Sequence, residues 1–147
     1  MSPNLKIRVQ AQLCRDCQAC ALACSLHHEG ECNLSLARLV VNKDMASYQF
    51  DILLCQHCAV PDCMSACPCD AMRLDERGVV VILDDECIRC GACRSSCPHS
   101  AVFYSHNHDR YLKCDLCAGR EEGPLCVELC PVGALALVDS KATEENA

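Results

Sequence analysis

Apolar residues come along this chain in short bursts, each cut off by turn residues or by cysteines. Leu5 to Val9, Leu39 to Val41 and Gln49 to Leu53 are strand candidates. Met72 to Leu74, the turn Asp75-Glu76-Arg77-Gly78 and Val79 to Leu83 together predict a hairpin. Val102 to Tyr104 and Arg110 to Leu112 predict a second one. A last strand, Ala134 to Val138, needs a partner, and Leu5 to Val9 can supply it. The segment ALACSLHHEG after Cys20 reads as a short helix ended by Gly30. No apolar run approaches the ~20 residues that span a bilayer. Short strands interleaved with short helices make an α+β chain.

Composition changes this picture, because little is present to bind such short elements together. The 147 residues make one domain or two very small ones. Without the 18 cysteines the apolar share falls from 51% to roughly 39%, and Phe and Tyr total five with no Trp. Burial alone cannot hold this chain, so the cysteines must staple it. Met1 to Gln12 shows neither a secretory pattern nor twin arginines, which points to the cytoplasm, where thiols stay reduced. A net charge of −7 with no basic stripe argues against nucleic acid and anionic membrane.

Sixteen of the cysteines fall into four groups of four. The first is Cys14, Cys17, Cys20 and Cys24, spaced C-x2-C-x2-C-x3-C, and the third, Cys87, Cys90, Cys93 and Cys97, repeats it. The second is Cys55, Cys58, Cys63 and Cys67, and the fourth is Cys114, Cys117, Cys126 and Cys130. Pro68, Pro98 and Pro131 directly follow the last Cys of three groups, while Ser25 replaces the proline in the first. C-x2-C-x2-C-x3-C-P is the ligand run of bacterial [4Fe–4S] ferredoxins. Three closely spaced thiolates wrap one cubane, the fourth points to the neighbouring one, and the proline stops the helix. Structural zinc needs only paired C-x2-C units, and disulfides do not suit a reducing compartment. Cys32 and Cys69 are left over, and read as small buried hydrophobes.

The prolines also mark an internal repeat: CPCDAMRL, CPHSAVFY and CPVGALAL each place Ala four residues after the Cys, at Ala71, Ala101 and Ala134. A small residue there lets the backbone pass close to a cluster. One hairpin separates the second group from the third, as in a two-cluster ferredoxin. That makes 49–104 an inner two-cluster module, with 1–48 plus 105–147 an outer one wrapped around it. The spacing also permits pairing the first group with the second and the third with the fourth.

LCQHCAVPDCMSACP and KCDLCAGREEGPLCVELCPVGAL resemble the second and fourth motifs of the four-cluster polyferredoxin subunits of molybdenum and tungsten oxidoreductases and hydrogenases. CRDCQACALACSLHHEGECNLSLARLVV, with Arg38 after its Cys-Ser-x-His-His-Glu-Gly run, resembles more narrowly the small iron–sulfur subunits of tungsten aldehyde oxidoreductases and related bis-pterin enzymes. The resemblance implies two nested ferredoxin-like modules and four [4Fe–4S] clusters. Set 1 would be Cys14, Cys17, Cys20 and Cys130; set 2 would be Cys24, Cys114, Cys117 and Cys126. Set 3 would be Cys55, Cys58, Cys63 and Cys97; set 4 would be Cys67, Cys87, Cys90 and Cys93. It implies a catalytic tungsten or molybdenum bis-pterin subunit as partner, and a flavin subunit or a ferredoxin as a second one. Formate dehydrogenase, carbon monoxide dehydrogenase and hydrogenase complexes have similar-looking subunits, and stacked copies could extend the row.

Other residues carry less. His57 sits inside a cluster loop, to orient it or to hydrogen-bond near a sulfur; His27 and His28 pack or face a partner. His106 and His108 lack further ligands for a metal of their own. Arg38, Arg73, Arg89 and Arg94 belong by default to a solvated face. No nucleotide motif and no nucleophile elbow is present, so neither NAD, nor a flavin, nor a substrate pocket is expected. The expected role is electron transfer, not catalysis. A row of four clusters suits a fixed subunit better than a freely diffusing ferredoxin.

Overall fold

The computed structural model describes residues 5–58 and 60–139 of the chain. The outermost ends of the outer module, 1–4 and 140–147, lie outside the described residues. In chain order the elements are β1 (Leu5–Val9), α1 (Ala19–Glu29), β2 (Val40–Asp44), β3 (Gln49–Leu53), α2 (Asp62–Ala66), β4 (Met72–Leu74), β5 (Val80–Ile82), α3 (Ala92–Ser96), β6 (Val102–Ser105), β7 (Arg110–Lys113), α4 (Leu125–Leu129) and β8 (Leu135–Asp139). The strands form four separate two-stranded antiparallel sheets.

The expected closure of the two ends is present. β1 runs against β8 from Leu5 opposite Asp139 to Val9 opposite Leu135, with Ile7 fully buried between them. The helices pair in the same nested order: α1 packs on α4, and α2 on α3. β2–β3 and β6–β7 tie the two halves together. The 48/49 boundary falls in the turn of the first hairpin, and the 104/105 boundary falls within β6. β5 lies against β7.

Several bounds shift by a residue, for one local reason each. β8 starts at Leu135 because the Ala134 N–H donates to the Cys130 sulfur, 3.3 Å away, instead of joining the ladder. β5 starts at Val80 because the Val79 carbonyl closes the turn onto the Asp75 amide. α1 runs eleven residues, against five for each other helix. Ser25 permits this, since a proline there would remove a helix hydrogen bond. Its fully buried hydroxyl donates to the Leu22 carbonyl and accepts from the Asn33 amide. Gly30 then ends the helix with φ +76, its N–H closing on Leu26.

The core is small, as the composition requires. Ile7, Leu36, Leu39, Leu54 and Leu112 are its largest fully buried apolar side chains. Cys14, Cys20, Cys24, Cys55, Cys114 and Cys126 pack among them. Among the described residues no helix is long and apolar enough to cross a membrane.

Candidate metal centres

Each helix pair brings thiols from distant groups to one place. Cys55, Cys58, Cys63 and Cys97 line one small cavity, shared with Val80, Ala101 and Lys113. Cys67, Cys87, Cys90 and Cys93 line a second, beside Gly91 and Tyr111. In the other half, Cys20 lies within electrostatic reach of Cys17, Cys130 and Cys14, and Cys126 within that of Cys114, Cys117 and Cys24. The sets also lie within electrostatic reach of one another, in a row. Cys20 acts on Cys126, Cys55 on Cys114, and Cys63 on Cys93, which orders them 1, 2, 3, 4.

The backbone around each set repeats one device. The residue two after the first Cys takes a left-handed conformation at His57, Arg89 and Leu116, with φ +47, +60 and +55. Each of these amides donates to the sulfur of that first Cys, at 3.4 Å. A second amide comes from the repeated alanines. Ala71, Ala101 and Ala134 donate to Cys67, Cys97 and Cys130 at 3.3, 3.5 and 3.3 Å. The residue before each alanine, at Asp70, Ser100 and Gly133, is again left-handed. A side chain larger than methyl has no room there, since all three alanines are buried. Gly91 serves a related need: it has φ +80, and a Cβ there would meet the Tyr111 hydroxyl at 2.8 Å.

The first group departs from this rule and is rescued from elsewhere. α1 continues past Cys24, so no alanine amide can turn back onto its sulfur. The Arg38 amide donates there instead, at 3.3 Å, from the loop before β2. Spacing alone could not have found this contact.

Burial sets the thiol chemistry. It pushes the Cys20 and Cys93 thiols up to about 11, Cys114 up to about 12, and Cys126 higher still. A thiol held that way is neutral without a cation and becomes a thiolate only when one is bound. The donor set suits a thiolate-ligated iron–sulfur group: sulfur donors only, in tetrads, with amide donors to the sulfurs and apolar walls.

Charged groups gather where the halves meet. Lys113 is buried, and its ammonium donates to the carbonyls of Val80 (2.7 Å) and Cys114 (3.1 Å). Its charge favours the thiolates of both Cys63 and Cys114. Arg38 donates to the Lys113 carbonyl at 3.1 Å and lies 3.5 Å from Asp115. His28 offers Nε2 to Asp115 at 2.9 Å and Nδ1 to the Cys24 carbonyl at 2.9 Å. Burial works against its charge, but Asp115 and Cys24 hold it up to about 9. Burial likewise opposes the Asp115 charge, and His28 and Arg38 overcome this and hold its carboxyl low.

The remaining residues named from the sequence stand in varied settings, and the readings of Cys32, Cys69 and Arg38 need correction. The His57 ring is buried with neither nitrogen partnered, and burial pushes it down to about 3; its amide, not its ring, meets the sulfur. Cys32 is exposed rather than buried, because it follows the end of α1 in a surface loop; Cys69 is half-buried beside Cys67. Arg38 belongs to the buried network, whereas Arg73, Arg89 and Arg94 are exposed. His27 stacks edge-on against His28 and approaches Cys117, which is already spoken for in set 2. His106 and His108 are exposed.

Known proteins share this pattern. The family described as 4Fe-4S dicluster domain matches residues 46–140. A protein of Escherichia coli named for electron transport, YsaA, is 34% identical over 97% of this chain and 95% of its own length. One subunit of the anaerobic dimethyl sulfoxide reductase of the same organism is 34% identical over 86% of this chain and 69% of its own. The polyferredoxin-like subunit of an aliphatic sulfonate oxidoreductase from Pyrococcus furiosus is 34% identical over 84% and 70%. Among solved structures, a subunit of the BamBC active-site complex of benzoyl coenzyme A reductase matches with TM-score 0.57 and 27% identity, over 97% of this chain and 85% of that one.

Proposed function

The chain belongs to the 4Fe-4S dicluster domain family, and from that premise we propose that it is a non-catalytic electron-transfer subunit of a molybdenum- or tungsten-type oxidoreductase complex. It holds four [4Fe–4S] clusters through sets 1 to 4. The observation that supports this reading is the gathering of thiols from groups far apart in sequence: two tetrads each line one cavity, and the other eight cysteines lie within electrostatic reach of one another.

Bound in these sets, the clusters supply one-electron exchange with little rearrangement. The chain's own residues do the rest. The sixteen thiolates fix the spacing, and the amides of His57, Arg89, Leu116 and the three alanines spread negative charge off the sulfurs. Leu39, Leu54 and Ile7 keep water from the middle of the row. Lys113, between sets 2 and 3, offsets charge where an electron crosses from one half to the other.

The partner at one end is a tungsten or molybdenum bis-pterin subunit, an aldehyde oxidoreductase being favoured by the first cysteine group and the His-His-Glu-Gly run after it. A flavin subunit or a ferredoxin takes the other end, in the cytoplasm. The relatives named above speak for the subunit role, since two are named as parts of reductase or oxidoreductase complexes. Oxidised all-cysteine clusters add about −2 each, which takes the chain's −7 to about −15. So acidic a body docks on positive surfaces, and salt weakens the contact.

Anaerobic analysis of the purified chain tests the centres: about sixteen irons and as many sulfides are expected, without zinc. Eight irons, or stoichiometric zinc, would refute it. Pull-down from anaerobic extract tests the partner. Tungsten or molybdenum with aldehyde oxidation is expected. Nickel with hydrogenase or carbon monoxide activity would replace the aldehyde reading and keep the electron-transfer one, and a free monomer would refute both.

A further inference from the structure

Set 4 has five thiols about its cavity rather than four. Cys69 lines the same cavity as Cys67, Cys87, Cys90 and Cys93, and its sulfur lies 3.8 Å from that of Cys67. The turn Cys67-Pro68-Cys69-Asp70-Ala71 holds it there, with Asp70 left-handed and the Ala71 amide on the Cys67 sulfur. The matching turns carry His99 and Val132 in place of Cys69, so sets 3 and 1 have no such neighbour. Set 4 is also the one set with no buried member: Cys90 is exposed, and Cys67, Cys87 and Cys93 are half-buried. It lies at one end of the row.

We propose that Cys69 is a reserve ligand of this terminal centre. The inference rests on the four-cluster reading above. With Cys67 in place, the Cys69 sulfur stays in hydrogen-bond contact with the Cys67 sulfur. With Cys67 lost, Cys69 turns inward by a rotamer change, gives its proton to solvent, and forms the fourth sulfur–iron bond as a bound water leaves. No electron is gained or lost in this exchange. The set with no buried member thereby keeps full sulfur ligation after loss of Cys67.

Iron analysis and thiol labelling of the anaerobic holoprotein test this. Wild type and Cys67→Ala are both expected to hold about sixteen irons, and Cys67→Ala/Cys69→Ala about twelve. Cys130→Ala, with Val132 in the matching place, is expected to fall to about twelve as the control. Iodoacetamide, read by mass spectrometry, should label Cys32 and Cys69 in wild type, and only Cys32 in Cys67→Ala. A Cys67→Ala chain that does not fold, that holds about twelve irons or fewer, or in which Cys69 is alkylated, overturns the proposal. A wild-type chain short of iron overturns the four-cluster reading instead. Labelling of Cys87 and Cys90 then says whether set 4 is filled, and an empty set 4 overturns this proposal too.

Discussion

Sets 2 and 4 have the same ligand chemistry in opposite surroundings. All four cysteines of set 2 are buried, and Cys24, Cys114 and Cys126 share a core with Ile7, Leu39, Leu54 and Leu135, while none of set 4 is buried. Around set 2 stand Lys113, Arg38, His28 and Asp115, in a hydrogen-bonded network. Set 4 has amides, the Cys69 thiol, solvent and two exposed arginines, Arg73 and Arg89, the second donating to the Cys87 carbonyl at 3.0 Å. The difference follows from electrostatics. An all-cysteine cluster carries net negative charge, and burying charge costs several kcal/mol unless a counter-charge is buried with it. Set 2 therefore needs protein cations, and set 4 can rely on water.

Removing one ligand from each set gives the largest contrast. Cys126→Ala takes a ligand from the middle of the apolar core and leaves the buried cations of set 2 without their anion. We expect loss of more than one cluster's iron and collapse of the far-UV helical signal, since metal binding and folding are coupled here. Cys90→Ala, at the exposed end, should keep about twelve irons and the fold. Equal losses from the two variants would mean that burial does not distinguish the sets.

Lys113 gives the next largest effect. Among the described residues its ammonium donates to two carbonyls while it lies beside two thiol sets, so clusters bound there would be its counter-charge. Lys113→Met should lower the potentials of the two middle clusters by on the order of 50–100 mV, the effect of one unit charge at an effective dielectric near 20. Lys113→Arg should restore most of this, and the set 4 potential should scarcely move. Redox titration followed by electron paramagnetic resonance reads each. A uniform shift of all four signals would argue for general loosening of the fold.

His28 marks the same contrast through pH. Its folded pKa, about 9, lies above the ordinary value of 6.5. The stability it adds is therefore fully present below about pH 6.5 and is lost as pH rises through about 9. The expected size is on the order of 2 kcal/mol. Chemical denaturation of the anaerobic holoprotein from pH 6 to 10 should show this decline, and His28→Gln should flatten it. Set 4 has no buried histidine–carboxylate pair, so the decline should appear as loss from the outer half first.

Much of this was legible in the sequence, because the cysteines dictate it. The two hairpins, the helix ended by Gly30 and the pairing of Leu5–Val9 with the last strand were all readable from spacing and turn residues. The alanine repeat marked the places where an amide meets a sulfur. What escaped were contacts that join distant parts of the chain. The Arg38 amide on Cys24, the Asp115 partnership with His28 and the buried Lys113 leave no periodic trace. The exposure of Cys32 escaped for another reason: residue type gives only a tendency toward burial, and the loop after Gly30 overrides it.

The smallest effect belongs to the surface, and it closes the comparison from the other side. Arg73 reaches Glu86 at 2.8 Å, with both side chains about half exposed. The pair lies near set 4, as the Arg38–Asp115 pair lies near set 2. Exposed pairs contribute about 0–1 kcal/mol, because water and salt screen them. Arg73→Ala should therefore leave stability, iron content and every cluster potential unchanged within error. Arg38→Ala should free iron from set 2 and expose the Asp115 carboxylate to an unbalanced burial cost. Side-by-side urea denaturation and iron analysis of the two variants decide between charge placement and charge count. If Arg73→Ala proved as costly as Arg38→Ala, the number of arginines near the clusters would matter more than their burial, and the distinction between sets 2 and 4 would fail.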